Sequence, residues 1–299
     1  MSNYCANVSL YDKTTFRIGG TAAWYAEPDS VDALLAAIRF AREKSLPMLV
    51  IGRGSNLLVS DAGWPGLVIN LSSGFQSLTW NGPEVSAQSG VMLDTMVRES
   101  IDRGFSGLEE LSGIPGTVGG AVIMNAGAFS TCIADTLVAA EYLECDTLLV
   151  NTLPADNLGL GYRTSALAHK NAIVLSARFR LNFGDMRQTQ GRRAEILEKR
   201  RAKQPLDQPN CGSIFKRPPG TYAGTLIEKA GLKGYRHGNV SISSKHANFI
   251  VNHGRGTAAE VRHLIVLAQK KVYEQAGILL EPEVIFAGVF DEPLFAPGP

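Results

Sequence analysis

The sequence predicts an α+β protein of about two domains, and three observations point there. The chain has 299 residues, enough to bury a sizeable core. Its segments of helical and strand periodicity do not alternate; the order is helix, strands, strands, helix. Near Asp185 the texture changes, and apolar runs give way to a polar, strongly basic stretch. These features set a first domain over residues 1–185 and a second over 186–299.

The elements follow from local pattern. In "EPDSVDALLAAIRFAREKSLP", Asp29 or Ser30 can cap a helix whose Val31, Leu34, Leu35 and Ile38 recur at helical spacing, with Lys44 and Pro47 marking its end. "MLVIGRGSNLLVSDAGWPGLVINL" consists of short apolar runs broken by glycines, the pattern of strands joined by tight turns. An amphipathic helix runs from about Leu93 to Arg103 and ends at Gly104. The segment "LSGIPGTVGGAVIMNAGA" is rich in Gly, each of which costs about 1 kcal/mol against Ala in a helix interior. A bending or closely approached backbone is therefore expected there rather than a packed helix or strand. Apolar runs near Leu137–Val150 and Ala172–Leu181 suggest a sheet. "GDMRQTQGRRAEILEKRRAKQP" reads as a basic helix leading into the second domain, and Ala258–Gln275 as a final helix capped by Gly277. "ILLEPEVIFAGVF" closes as strand, with Glu283, Ile285 and Ala287 on one face.

Composition excludes several functions. Hydrophobic residues make up 45% and charged residues 19%, as in a soluble globular protein, and the net charge of +1 supplies no field for nucleic acid. The start "MSNYCANVSLYDKTTFRIGG" reads as no signal peptide, and no apolar stretch reaches the length of a membrane span. Cys5, Cys132, Cys145 and Cys211 form no CxxC pair, so reduced thiols in a cytoplasm are expected. His169, His237, His246, His253 and His263 form no ligand pattern, and no metal is expected.

Chemistry-bearing residues concentrate in five places. Gly52-Arg53-Gly54-Ser55-Asn56 begins like GxGxxG, but Leu57 replaces the third Gly and strand-like residues follow, so a Rossmann reading fails. A turn exposing backbone N–H groups remains, suited either to a pyrophosphate or to a plain hairpin. The second glycine-rich segment could clasp the same elongated dinucleotide. In "LGYRTSAL", Arg163 beside Tyr162 can fork onto a carboxylate or lie on the surface. In "NCGSIFKRPPG", Ser213 follows a Gly and precedes Lys216 and Arg217. Glu283 stands in an apolar strand pattern, where a carboxyl is costly unless paired or functional.

Together these motifs carry a resemblance. "FRIGGTA", "IGRGSNLLVSDAGWPGLVI", "GLEELSGIPGTVGGAVIMNAGA", "YRTS", "QPLDQPNCGSIFKRP", "LIEKAGLKGYRHGNVSISSKHANFIVN" and "LEPEV" resemble, in order, the UDP-N-acetylenolpyruvoylglucosamine reductase family, from about Thr15 to Gly288. The resemblance implies a FAD-binding domain of the p-cresol methylhydroxylase (vanillyl-alcohol oxidase) type and a smaller C-terminal α+β substrate domain. It implies FAD, NADPH as electron donor, and UDP-N-acetylglucosamine enolpyruvate as substrate, in peptidoglycan precursor synthesis. Gly52, Arg53, Gly54, Ser55, Asn56, Gly113, Ile114, Pro115, Gly116, Thr117, Gly119, Gly120, Asn125 and Gly127 become flavin contacts. No His precedes His169, so FAD is expected to be non-covalent.

The three catalytic positions carried over are Arg163, Ser213 and Glu283. Ser213 resembles the proton donor, while Arg163 and Glu283 would stabilise charge on the substrate carboxylate. Lys216 could lower the Ser213 hydroxyl's pKa. Lys203 and Arg217 match basic substrate positions, and Tyr162, Lys216 and His246 join the substrate contacts. Arg217 departs from a longer branch of the family, which has Asn there and an extra Tyr-bearing loop. The short Tyr162–Gln204 spacing resembles the branch without that loop, leaving Tyr235, Arg236 or His246 to close the pocket. A cytoplasmic monomer is expected. Two other readings stand: a flavin oxidase of the same fold acting on an alcohol or lactone, and a nucleotide-sugar-binding protein without catalysis.

Overall fold

The computed structural model describes residues 4–297. Along the chain, β1 (Cys5–Ser9) and β2 (Thr21–Ala26) precede α1 (Val31–Glu43), and β3 (Met48–Ile51), β4 (Leu57–Val59) and β5 (Trp64–Asn70) follow. A hairpin of β6 (Leu78–Asn81) and β7 (Glu84–Gln88) leads to α2 (Leu93–Asp102) and the short β8 (Phe105–Ser106). Then come α3 (Val118–Ile123), β9 (Gly127–Ala128), β10 (Thr131–Cys132), β11 (Leu137–Glu144), β12 (Val150–Pro154), β13 (Ala172–Arg180) and β14 (Asn182–Phe183). The remainder comprises α4 (Met186–Lys203), α5 (Ala223–Lys229), β15 (Arg236–His237), β16 (Val240–Ile242), β17 (Ile250–Asn252), α6 (Ala258–Ala276) and β18 (Ile285–Ala287). Helices and strands are mixed without regular alternation, as the α+β expectation holds.

The helix ends obey their chemistry. Ser30 caps α1 by accepting the Ala33 N–H, and the helix buries Leu34, Ala37, Ile38 and Ala41. Thr257 and Glu260 form a reciprocal capping box on α6, and Gly277 ends it at φ 66°.

Two compact units divide the described chain. The first contains 25–53 and 68–200. Its centre is a five-stranded antiparallel sheet in the order β12-β11-β13-β7-β6, against which α2 and α3 bury Leu93, Met96, Val97, Val118 and Val122. The second contains 5–24, 54–67 and residues from 201 onward. There Phe16, Ile18 and Leu58 join Ile214, Phe215, Ile250, Val261, Leu264 and Ile265 in one core around α6 and the sheet β15-β16-β17.

Four expectations need correction. The unit boundary does not lie near Asp185: α4 passes it, held to the first unit by Arg192–Glu110 and Arg193–Asp94 ion pairs. The N-terminal arm belongs with the second unit, because Asn252 donates to the Phe16 and Arg17 carbonyls at 3.1 and 2.9 Å. The glycine-rich segment does form a helix, α3, with Gly119 and Gly120 inside it. A Cβ on Gly119 would lie 2.8 Å from the Ser89 Cβ, so close packing outweighs poor helix propensity. Finally, only Ile285–Ala287 of the closing segment is strand, paired parallel to β4. Glu283 precedes it, and Ile285 is exposed where Ala287 is buried, so the three do not share an environment.

Candidate active site

Ser213 and Glu283 lie on two segments of the second unit that are laced together. Glu283 and Val284 both donate their N–H to the Ile214 carbonyl, at 2.8 and 3.3 Å, and Lys216 N–H donates to the Glu281 carbonyl at 2.9 Å. Phe215 and Pro282 form an antiparallel bridge between the segments, and the Lys216 ammonium pairs with the Glu281 carboxylate. From the other side, buried Asn248 grips Phe215 at both peptide groups: its Oδ1 accepts the N–H at 3.0 Å and its Nδ2 donates to the carbonyl at 2.8 Å. The Asn248 carbonyl accepts Ile214 N–H at 2.9 Å. Upstream, Gly212 turns at φ 81°, where Gly alone is unstrained, and its N–H donates to Asn210 Oδ1 at 2.9 Å. The backbone on both sides of Ser213 is thus over-determined, and the half-buried hydroxyl is carried on a rigid support.

Arg163 belongs to the first unit and sits at a turn closed by the Gly161–Thr164 bridge. Its backbone is left-handed at φ 57°, a strained position for a non-Gly residue. Three bonds hold the turn to the glycine-rich segment: Asn125 Nδ2 to the Gly161 carbonyl at 2.9 Å, Ser165 Oγ to the Ile123 carbonyl at 2.8 Å, and Arg163 Nη2 to the Gly127 carbonyl at 3.1 Å. The guanidinium also lies 5.0 Å from the Tyr162 ring. Gly127 therefore holds the Arg163 side chain directly, and Asn125 holds the turn that carries it.

The peptide N–H groups of the expected flavin residues fall into two sets. None of the five in 52–56 is spent on a hydrogen bond among the described residues, nor are those of Gly116 and Thr117. Gly54 among them is buried, where an unpaired N–H is costly. By contrast, Gly113 donates to Asp94 Oδ1 at 2.7 Å, Ile114 to the Leu111 carbonyl and Gly119 to the Ser89 carbonyl. Within the first unit, a Cβ on Gly52 would approach Thr117 Oγ1 to 2.4 Å, so the two glycine-rich loops touch there. A turn of unspent donors fits a pyrophosphate. Among the described residues no group of three or more His, Cys, Asp or Glu is arranged to hold a metal ion.

Of the expected substrate contacts, Tyr162 is exposed, and Arg217 is exposed with its guanidinium 4.2 Å from the Tyr222 ring. Lys203 ends α4 and lies in electrostatic range of His246. Burial pushes the His246 pKa down, and the Lys233 and Lys203 charges add to that. Its Nδ1 accepts the Asn248 N–H at 3.2 Å, which places the proton of the neutral ring on Nε2.

Two family models match the chain: FAD binding domain over residues 22–152, and UDP-N-acetylenolpyruvoylglucosamine reductase, C-terminal domain, over residues 204–287. A protein named UDP-N-acetylenolpyruvoylglucosamine reductase from Caldicellulosiruptor saccharolyticus is 44% identical over 288 residues, 96% of this chain and 92% of that protein. One so named from Synechococcus sp. (strain JA-3-3Ab) is 44% identical over 294 residues, 97% and 93% of the two chains. The chain belongs to the UDP-N-acetylenolpyruvoylglucosamine reductase family. The crystal structure of the Thermus caldophilus UDP-N-acetylenolpyruvylglucosamine reductase matches with a TM-score of 0.82 at 35% identity, covering 96% of this chain and 99% of that one. This reductase-family chain is an oxidoreductase with a FAD-binding domain followed by the family's C-terminal domain.

Several supporting residues escaped the sequence reading: Asn248, Glu281 and Asp94. "KHANF" and "LEPEV" contained the first two, but nothing local indicates that an Asn grips a peptide 33 positions away. Asp94 looked like an ordinary acidic residue in the first turn of α2.

Proposed function

We propose that this chain reduces UDP-N-acetylglucosamine enolpyruvate to UDP-N-acetylmuramate with electrons from NADPH, in peptidoglycan precursor synthesis. The observation that carries the reading is the lacing of the Ser213 segment to the Glu283 segment through Ile214 and Lys216. Bound non-covalently, FAD would accept hydride from NADPH and deliver it to the terminal vinyl carbon of the substrate. The residues fitted to hold it are Gly52–Asn56, Gly116 and Thr117, whose N–H groups remain unspent.

The remaining chemistry falls to side chains. As hydride adds, negative charge builds on the carbon bearing the carboxylate and spreads into that carboxylate. The Arg163 guanidinium forks onto it, and a protonated Glu283 donates a hydrogen bond to it. Ser213 gives its hydroxyl proton to the same carbon and recovers one from solvent. A serine is a weak acid, but the carbanion is a far stronger base. Lys203 and Arg217 are assigned to the nucleotide-sugar diphosphate, and Tyr162 and His246 to further contacts with the substrate.

The test separates the two half-reactions. Purified protein should be yellow, NADPH should bleach it, and the enolpyruvyl sugar nucleotide should restore the colour. In Ser213→Ala, bleaching should proceed at the normal rate while recolouring slows by about 10²–10⁴-fold, the usual size of a general-acid contribution. Recolouring at the normal rate would remove Ser213 from its role. A colourless protein that cannot take up FAD would remove the whole reading.

A further inference from the structure

Asn56 stands at the end of the first glycine-rich turn, and its groups point to two different duties. Its peptide N–H belongs to the unspent set of 52–56. Its side-chain Nδ2 donates to the Glu283 carbonyl at 3.0 Å, and its own carbonyl accepts the Ile285 N–H at 2.9 Å. Directly after it the parallel ladder begins, pairing Leu57 with Ile285. The Glu283 peptide is therefore held on one side by Asn56 and on the other by Ile214, which accepts its N–H.

The direction of a Glu side chain is set by the backbone that bears it, so residues fixing both peptide groups of Glu283 aim its carboxyl. Asn56 is expected among the flavin contacts, and one donor of its side-chain amide is given to the Glu283 carbonyl. We propose that the Asn56 side chain is a positioning residue for Glu283, and that through it the occupant of the 52–56 turn governs the placement of that acid. The inference rests on the reading of Glu283 as the group that stabilises charge on the substrate. A misplacement of about 1 Å can slow such a step by about 100-fold.

Asn56→Ala deletes the donor, and Asn56→Asp replaces it with a carboxylate facing a carbonyl oxygen, which repels. Both variants, Glu283→Gln and the wild type are to be compared for FAD affinity, bleaching by NADPH, and recolouring by the enolpyruvyl sugar nucleotide. In Asn56→Ala, FAD affinity and bleaching should stay within about threefold of wild type while recolouring slows by about tenfold or more; Asn56→Asp should be slower still. Amide exchange over residues 281–287 should quicken in both FAD-loaded variants. FAD affinity weakened by about tenfold, with both half-reactions slowed together, would make the Asn56 side chain, and not its peptide N–H alone, a flavin ligand and overturn the proposal. Recolouring at the wild-type rate would overturn it as well. The Glu283→Gln control tells the two readings apart. If it recolours normally, the role of Glu283 fails and the inference with it; if it is slow while the Asn56 variants are normal, the inference alone fails. Should the variants not fold, wild-type protein titrated with FAD decides: exchange over 281–287 should slow as FAD binds, and unchanged exchange overturns the coupling.

Discussion

Gly52 illustrates how a missing side chain builds a site. Its backbone is not left-handed, so space rather than conformation demands Gly: a Cβ would meet Thr117 Oγ1 at 2.4 Å and Cγ2 at 3.0 Å. Thr is short and β-branched, with little freedom to turn aside. Gly52→Ala should therefore cost about 1–3 kcal/mol, as overpacking does. Thr117→Ala in the same chain removes both offending atoms and should restore part of that loss. Urea midpoints of the two single variants and the double variant measure the coupling; strictly additive losses would show that the two residues do not compete for space. Legibility at this scale divides along the same line. Ser213, Arg163 and Glu283 are legible only as candidates, through the resemblance of their segments to the family's motifs. The partners that hold them are not legible. Asn248 reaches back 33 residues to Phe215, and Asn56 reaches forward 227 to Glu283, distances at which local sequence carries no signal.

Among the elements, α4 departs furthest from its sequence reading. Its polar, basic composition predicts a helix, and a helix it is, with hardly any apolar stripe: Ile196 is its one buried hydrophobic residue among the described residues. What docks it is charge. Arg193 forks onto Asp94 at 2.7 and 2.9 Å, Asp94 also takes the Gly113 N–H, and Arg192 pairs with Glu110. Such contacts leave no mark on hydrophobic periodicity, so composition placed the domain boundary before this helix instead of near its C-terminal end. Burial pushes the Glu110 carboxyl up, but bonds from Arg192 and Ser130 outweigh it and hold the carboxyl at about 2. The folded value lies below the unfolded one, so the unfolded chain binds more protons between them and stability rises with pH there. The contribution is complete above the ordinary carboxylate range and drains away as pH falls toward about 2. Urea titrations of wild type and Glu110→Gln near pH 6 and at about pH 3.5 test this. Wild type should lose more stability on acidification than the variant; equal losses would detach the α4 tether from acid sensitivity.

On the scale of the whole molecule, the chain passes between its two compact units at five points, after residues 4, 24, 53, 67 and 200. The C-terminal family model matches 204–287, yet the second unit is not made of those residues alone. Phe16, Ile18 and Leu58 are at most 1% exposed within its core. β18 has β4 as its ladder partner, and Asp61 accepts the Ala258 and Ala259 N–H groups at the start of α6, at 2.7 and 2.9 Å. Composition could not announce this interleaving, since the N-terminal arm looks like any short polar lead-in and meets its partners some 200 residues later. The energetic consequence is large. Burying three such apolar side chains stabilises by roughly 5–9 kcal/mol, against about 5–15 kcal/mol for an entire domain. Residues 201–299 expressed alone should therefore fail to fold, giving no cooperative thermal transition by circular dichroism and collapsed amide dispersion by NMR. Linking residues 5–24 and 54–67 to that fragment through flexible spacers should recover a cooperative transition, because it returns Phe16, Ile18, β4 and the Asp61 cap together. If the bare fragment melts cooperatively, the interleaved segments decorate a core that α5, α6 and the sheet β15-β16-β17 complete on their own.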